Sequence, residues 1–150
     1  MSRLVWVAVL VAATACGPTF FMHAGRLDGE SVAAPVDDWS FTDSVRRIQL
    51  ETDPERPYSV NAWCVAQGPK LWVTAGGGEG STWGKNLLDD PRLRVRVGKK
   101  LYERRAVRVT DPDEIATVRA LYRAKYDAWL DFANDRTGRK HAIFFRLEPR

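Results

Sequence analysis

The run RLRVRV at Arg92–Val97 alternates basic and apolar residues without a break. That period of two is typical of a strand with one buried face. Gly98-Lys99-Lys100 separates it from a second β-rich run at 101–109, so the two runs predict an antiparallel hairpin. Because an isolated hairpin is only marginally stable in water, further strands or a helix must cover its apolar face.

Four other runs are rich in β-branched and aromatic residues and are bounded by turn residues. Each predicts a strand: RIQLET at 47–52, YSVNAWCVA at 58–66, KLWVTA at 70–75 and HAIFFRL at 141–147. The second and third flank Gly68-Pro69 and predict another hairpin.

Two helices are predicted between these strands. Ser81 or Thr82 can cap a short helix through Leu88, which Pro91 prevents from continuing past Asp90.

The longer helix has a clear start. Asp111 is the predicted N-cap, Pro112 takes the first helical position and Glu114 is placed to complete a capping box. Apolar residues at helical spacing predict one buried stripe, formed by Ile115, Val118, Leu121, Tyr122, Trp129 and Phe132.

The order of elements is three strands, a short helix, two strands, a long helix and a strand. The helices are too few for a parallel βαβ sheet. We therefore expect a mainly β protein of the α+β class, an antiparallel barrel of about six strands with a short and a long flanking helix.

The N-terminus carries a predicted targeting signal. Arg3 precedes an uncharged run of 19 residues at 4–22, which is barely long enough for a membrane-spanning helix. It is interpreted as an uncleaved anchor, as a secretory signal after which Cys16 is lipidated, or as the terminus of a soluble protein. Either of the first two tethers the domain to a membrane outside the cytoplasm.

These features predict three parts of the chain. Residues 1–23 form the signal or anchor segment, 24–38 the linker, and 39–150 the folded domain.

The residue types needed for metal and hydrolytic sites are scarce. The chain of 150 residues has two cysteines and two histidines, all far apart: Cys16, Cys64, His23 and His141. A structural zinc site needs four ligands in paired spacings, and a hydrolytic triad needs a positioned base. We expect neither, and Cys64 is predicted to be a buried free thiol. The net charge of +4 suits an anionic ligand, a membrane or nucleic acid equally.

The glycine-rich stretch AGGGEGSTWGKNLL at 75–88 fails two phosphate-binding patterns. A P-loop needs Gly at position 79 and Ser or Thr at 86, where Glu79 and Asn86 stand. The dinucleotide fingerprint G-x-G-x-x-G ends on Ser81 instead of glycine.

The stretch still has the features of a more general anion site. Backbone amides, the hydroxyls of Ser81 and Thr82, a helix N-terminus and Lys85 one turn later all favour an anion. The alternative is a mobile loop followed by an N-cap serine. Trp83 stands beside these groups, where an aromatic side chain can line a ring-shaped ligand. The other tryptophans considered are assigned to the core: Trp63, Trp72 and Trp129.

Strand alternation predicts one inward-facing arginine. Arg105 shares a face with the valines of 101–109, so it points to the core if they do. It then needs an anionic partner, either a carboxylate such as Glu103 or Glu51 or a bound ligand; a rim position is the alternative. Two arginines of the alternating run are expected in solvent, Arg94 and Arg96.

Several segments together resemble the split β-barrel superfamily of pyridoxamine-phosphate oxidase-like and deazaflavin-dependent reductases. The most specific is W-x-x-N-L-x-x-D-P-R at 83–92, and it is followed by RVRVGKKLYERRAVRV. Three other parts resemble the superfamily only in their strand pattern. They are the first strand RIQLET, the central hairpin formed by YSVNAWCV and LWVTA, and the last strand FFRLEP at 144–149. The resemblance covers about 38–150 and implies a split barrel.

Members of that superfamily are typically homodimers that bind FMN, a deazaflavin or sometimes haem at the subunit interface. On matching positions, the resemblance implies phosphate contacts from Thr74, Ser81, Thr82 and Lys85, with Trp63 and Trp83 near a ring. Arg105 is added to these candidate cofactor-binding residues only because of its position in the strand alternation, not because it matches a family motif.

The resemblance implies a membrane-tethered oxidoreductase whose flavin or deazaflavin exchanges a hydride with a small acceptor such as a quinone or nitro compound. The cofactor carries that chemistry, so no acid or base need be visible in the sequence. The alternative is a non-catalytic module that binds haem or another ligand, or a structural envelope domain. Nucleic-acid binding is not expected, because no strand face interleaves aromatic and basic residues.

Overall fold

The computed structural model describes residues 25–127 and 142–150. The predicted membrane segment, Cys16, His141 and the helix positions Trp129 and Phe132 lie outside these ranges. Within them, no helix combines the length and the apolar character needed to cross a membrane.

The described residues form two α-helices, α1 at Thr82–Asp89 and α2 at Pro112–Tyr126, and two 3₁₀ turns at Ser40–Thr42 and Gly78–Gly80. They also form eight strands: β1 Glu30–Val32, β2 Ile48–Thr52, β3 Tyr58–Ala62, β4 Cys64–Gln67, β5 Lys70–Ala75, β6 Arg92–Val97, β7 Lys100–Arg108 and β8 Ile143–Pro149.

The strands form one curled sheet in the order β3-β2-β6-β7-β8-β5-β4. All neighbours on this path are antiparallel, whereas β1 lies parallel to the first residues of β7. The predicted mainly β split barrel with a short and a long helix is confirmed. The count of about six strands was too low, because β1 was not predicted and the run 58–66 forms two strands.

The run 58–66 is divided at Trp63. β3 pairs with β2 at one end of the sheet path, and β4 pairs with β5 at the other. One nearly continuous segment therefore joins both ends of the curled sheet, and the split in the barrel lies at Trp63.

Helix α2 supplies hydrogen bonds to the backbone at this split. The Tyr122 hydroxyl donates to the Trp63 carbonyl at 3.0 Å, and the Tyr126 hydroxyl accepts from the Cys64 N–H at 3.1 Å. Lys125 Nζ donates to the Cys64 carbonyl at 2.8 Å. Burial raises the pKa of both tyrosines, which keeps their hydroxyls protonated.

Two hydrophobic clusters cover opposite faces of the sheet. One fills the barrel, and the other lies between the sheet and α2 and includes Trp72 and Val118. The predicted core positions of Trp72 and Cys64 are confirmed, since both are buried, and burial raises the pKa of the Cys64 thiol.

The start of α2 is as predicted except for the capping box. The Asp111 carboxylate accepts from the Asp113 N–H, which confirms the N-cap. Glu114 instead accepts from the Trp72 indole at 2.8 Å and from Arg146. These partners hold the first turn of α2 on the sheet.

Part of the predicted linker 24–38 belongs to the folded unit. Leu27 is buried, and its N–H donates to the carboxylate of buried Glu51. Arg94 pairs with the same carboxylate at 2.5 Å and also donates to the Leu27 carbonyl. The folded unit therefore begins before residue 39.

The expectation that Arg94 and Arg96 are solvated was wrong. Arg94 is the partner of Glu51, and Arg96 donates to the Gln49 side chain and to the Asp28 carbonyl. Both arginines are half-buried because β2 and the segment leading into β1 lie beside them.

Tyr126→Phe is expected to destabilise the protein by about 1–3 kcal/mol, because the buried Cys64 N–H loses its acceptor. Denaturant unfolding of the full chain measures the change. Tyr102→Phe is the matched control and should change stability by less than about 0.5 kcal/mol. Equal effects of the two substitutions would contradict a special role for the Tyr126 hydroxyl.

Candidate functional site

The stretch from Thr74 to Lys85, called the β5–α1 junction below, folds into a compact turn. β5 ends at Ala75, and α1 begins at Thr82. Helix and strand approach so closely that a Cβ added at Gly84 would lie 2.9 Å from the Ala75 Cβ and 2.9 Å from the Gly78 carbonyl oxygen. Only glycine fits there without a shift, so the first turn of α1 is set directly against the end of β5.

The first turn of α1 is capped as predicted. The Ser81 hydroxyl accepts from the Gly84 N–H at 3.4 Å, and its carbonyl accepts from the Lys85 N–H at 2.8 Å. Among the described residues, the N–H groups of Thr82 and Trp83 make no hydrogen bond. Two donors at a helix N-terminus, next to the exposed Thr82 hydroxyl, are a suitable arrangement for binding an anion.

Lys85 is exposed and forms an ion pair with Asp89 one turn later, with 2.5 Å between Nζ and Oδ2. Both side chains are more than 60% exposed. Such a pair on a helix surface contributes about 0.3–0.5 kcal/mol. The lysine can therefore exchange Asp89 for a stronger anion at little cost.

The glycines of this stretch differ in what the fold requires of them. Gly78 has a φ of 56°, which disfavours other residues, and Gly84 is required by the close approach of α1. A Cβ at Gly76 or Gly80 would meet no atom within 4 Å. These two glycines leave open space beside the helix N-terminus.

Thr74 and Trp63 lie on the side of the sheet that faces α2. The buried Thr74 hydroxyl lies beside the Tyr122 phenol without a well-formed hydrogen bond. The half-buried Trp63 ring stacks on Tyr126, with 5.0 Å between centroids and 19° between planes. Trp63 therefore packs against α2, as its assignment to the core predicts, and one part of its surface stays open.

Trp83 is half-buried and packs against the barrel cluster. Its ring centroid lies 6.2 Å from that of Phe145. Trp83 thus fixes α1 to the barrel, and only part of its ring is open to a ligand.

The prediction that Arg105 faces the core was wrong. The barrel face of β7 carries Tyr102, Arg104 and Ala106, and Arg105 is exposed on the other face. The prediction took the valine face of β7 as the barrel face, but both faces of the sheet are covered here. Val109 packs in the cluster between the sheet and α2, not in the barrel. The structure does not bring Arg105 to the β5–α1 junction.

Arg104 is the arginine that sequence reasoning missed. Its side chain lies over the rings of Trp39 and Tyr102, and it is 6% exposed. No local sequence signal shows which of the adjacent Arg104 and Arg105 faces the barrel, because apolar residues occur on both faces of β7. Within 25–127 and 142–150, no cluster of His, Cys, Asp and Glu side chains is suited to a metal ion.

The family model for F420H(2)-dependent quinone reductase matches residues 56–148. A search of curated proteins finds no match. Among solved structures, HutZ, a haem storage protein from Vibrio cholerae, is 18% identical with a TM-score of 0.59, over 74% of this chain and 86% of its own. An F420-H2 dependent reductase (FDR-A) is 18% identical with a TM-score of 0.57, over 69% of this chain and 95% of its own.

A Listeria innocua protein described as a pyridoxamine 5′-phosphate oxidase is 10% identical with a TM-score of 0.57, over 74% of this chain and 89% of its own. At these identities the solved structures show a shared fold. Together with the family match, they confirm the resemblance to the split-barrel superfamily.

Gly84→Ala is expected to destabilise the protein by about 1–3 kcal/mol, since the new methyl group overlaps backbone and side-chain atoms. Gly80→Ala, the control in open space, should leave stability unchanged or raise it by at most about 1 kcal/mol. Urea unfolding monitored by tryptophan fluorescence measures both variants. A neutral Gly84→Ala would show that α1 is not held against β5 as described.

Proposed function

The chain belongs to the F420H(2)-dependent quinone reductase family, and from this premise we propose that it binds a reduced deazaflavin and passes a hydride to a small acceptor, a quinone or a nitro compound. The observation that carries the proposal is the span of the family match, residues 56–148, which contains the entire β5–α1 junction. The pyridoxamine-phosphate oxidase-like fold supports FMN as the alternative cofactor.

The proposed phosphate contacts come from the first turn of α1. The unbonded N–H groups of Thr82 and Trp83 and the Ser81 and Thr82 hydroxyls offer donors, and Lys85 adds a positive charge. The open space at Gly76 and Gly80 leaves room for the anion. These features fit a phosphate-bearing cofactor.

Thr74 is left out of the proposed phosphate contacts, because its hydroxyl is buried beside Tyr122 on the sheet face that α2 covers. Trp63 packs against the α2 cluster and Trp83 against the barrel cluster, on opposite faces of the sheet, so only half-buried Trp83, in the first turn of α1, is proposed to offer ring surface to the cofactor's ring system.

When bound, the reduced deazaflavin supplies the hydride, and the chain's residues supply position and exclusion of water. We assign no catalytic acid or base. The anion-binding amides are rigidly placed because Gly84 sets α1 against β5, so little ordering of this turn accompanies binding.

We also propose that the protein acts as a membrane-tethered homodimer. The support is the uncharged run at 4–22, interpreted as an anchor or a lipoprotein signal with Cys16, and the homodimers of the resembled superfamily. A tether would keep the domain close to acceptors dissolved in the membrane.

A haem-binding module is the second candidate function. It is favoured by the fold shared with HutZ, whose name describes haem storage. Titration with haemin therefore belongs in the same experiment as titration with the redox cofactors.

Lys85→Ala is expected to weaken binding of oxidised F420 about 5–10-fold, the loss of one exposed charge-assisted contact. Fluorescence titration of the full-chain protein in detergent measures the dissociation constant. Asp89→Ala should leave binding unchanged or strengthen it, because it frees the lysine from its ion pair.

Lys100→Ala removes an exposed lysine at the start of β7 and serves as the matched control. An unchanged affinity in Lys85→Ala would remove that residue from the site. Saturable binding of haemin with no binding of F420 or FMN would favour the haem module over the reductase.

A further inference from the structure

The place where the N-terminal part of the chain joins the folded unit is fixed. Leu27 is buried, and its carbonyl accepts from Arg94 Nη2 at 2.7 Å. The Glu30 N–H donates to the Lys99 carbonyl at 2.8 Å, where β1 begins to pair with β7. The exposed residue before Leu27, Arg26, is therefore held at one defined position beside the sheet.

A cavity of about 150 Å³ lies at this position. Six charged residues are among those that line it: Arg26, Glu51, Arg92, Arg94, Glu103 and Arg150. The four arginines outnumber the two glutamates, so the side chains that line the cavity carry a net charge of +2.

The register of three strands brings these charges together. Glu51 in β2 lies opposite Arg94 in β6, and Arg94 lies opposite Glu103 in β7. Directly opposite residues project from the same face of a sheet. Leu93, between Arg92 and Arg94, belongs to the barrel cluster, so the charged row lies on the face away from the barrel.

Two of the arginines are held in place by carboxylates. Arg94 pairs with buried Glu51 at 2.5 Å, and Arg92 pairs at 2.6 Å with Asp90, which lies outside the lining of the cavity. Glu55, 84% exposed, lies 4.0 Å from Arg92. Among the described residues, Nη1 of Arg92 and of Arg94 makes no hydrogen bond. Each paired arginine thus keeps N–H donors for a further anion.

The other two arginines have no close anionic partner. Arg26 is exposed and forms no ion pair within 25–127 and 142–150. Arg150 Nη2 lies 3.8 Å from Glu103 Oε2, which is beyond hydrogen-bond distance, and both side chains are at least 41% exposed. Exposed pairs of this kind are weak, so both guanidinium groups are available to a stronger anion.

The length of the chain before Arg26 indicates where such an anion comes from. The uncharged run proposed as a membrane anchor ends at residue 22, five residues before Leu27. Five residues span at most about 18 Å when fully extended. With that run in a membrane, the cavity at Arg26 lies within about 18 Å of the end of the anchor, beside the polar headgroup layer.

We propose that this arginine-lined cavity binds the phosphate of an anionic phospholipid headgroup and holds this face of the sheet at the membrane surface. The inference rests on the membrane tether of the proposed function. Guanidinium forks match the oxygens of a phosphate group, and basic residues next to a membrane segment are attracted to anionic lipids. The cavity shares no residue with the β5–α1 junction.

The test uses the full-chain protein in a neutral detergent, with dihexanoyl phosphatidylglycerol as the probe and sodium chloride to match the ionic strength. We expect Tm to rise saturably, by about 3–6 °C at about ten times the dissociation constant. Dihexanoyl phosphatidylcholine has the same phosphate but no net charge, and it should give no such rise.

Arg26→Ala and Arg150→Ala should each weaken binding of the phosphatidylglycerol about 5–10-fold, because each removes one charge-assisted contact. Both side chains are exposed, so both variants should fold like the parent. Arg108→Ala removes an exposed arginine of β7 outside the cavity and is the matched control.

Inorganic phosphate separates a lipid headgroup from free phosphate. Phosphate that binds as tightly as the phosphatidylglycerol, and is lost in Arg26→Ala but kept in Lys85→Ala, would overturn the lipid assignment. The proposal is also overturned if the phosphatidylglycerol gives no saturable rise, if phosphatidylcholine gives the same rise, or if the Arg26 and Arg150 variants respond like the parent.

The tether is measured separately, as retention of the parent chain in phosphatidylcholine vesicles through a high-salt wash. Loss of the protein in that wash contradicts the tether and with it the membrane assignment of the cavity. A retained protein with no response to phosphatidylglycerol contradicts the headgroup site alone. Binding of F420 should be the same in Arg26→Ala as in the parent, so the reductase proposal is tested independently.

Discussion

The backbone at Trp63 and Cys64 is the point on which the rest of the structure depends. Here the chain leaves one end of the sheet and joins the other, so these peptide groups cannot all pair within a regular ladder. Buried backbone groups need partners, and Tyr122, Lys125 and Tyr126 supply them from α2. The split barrel therefore requires α2 in its observed position.

The candidate cofactor site follows from that arrangement. β4 aligns β5, and β5 ends where Gly84 allows α1 to approach Ala75. The same α2 residues that hold the split lie under Trp63 and beside Thr74. Side chains from distant parts of the sequence thus pack against β5, and the first turn of α1, which is the proposed anion site, comes directly after the end of that strand.

Local chemistry accounts for what the sequence predicted correctly. The alternation of RLRVRV, the caps at Ser81 and Asp111 and the helix between Thr82 and Asp89 depend on residues within a few positions of one another. The fold class followed from the order of these elements, and its identification as a split barrel came from the resemblance.

The errors all involve long-range contacts. The partner of Arg94 is Glu51 in another strand, and β1 is too short and polar to be distinguished from a linker before its pairing with β7 is known. The phase of Arg104 and Arg105 could not be assigned, because a sheet covered on both faces has apolar residues on both. The division at Trp63 depends on tyrosines about sixty residues later.

The most direct test of the reductase assignment is anaerobic mixing of the full-chain protein with reduced F420 and menadione, following the absorbance of the oxidised cofactor. The account predicts oxidation that saturates with cofactor concentration and depends on the protein. Its rate should fall when inorganic phosphate competes for the first turn of α1. Oxidation no faster than in the protein-free mixture, from a folded protein, would contradict the assignment.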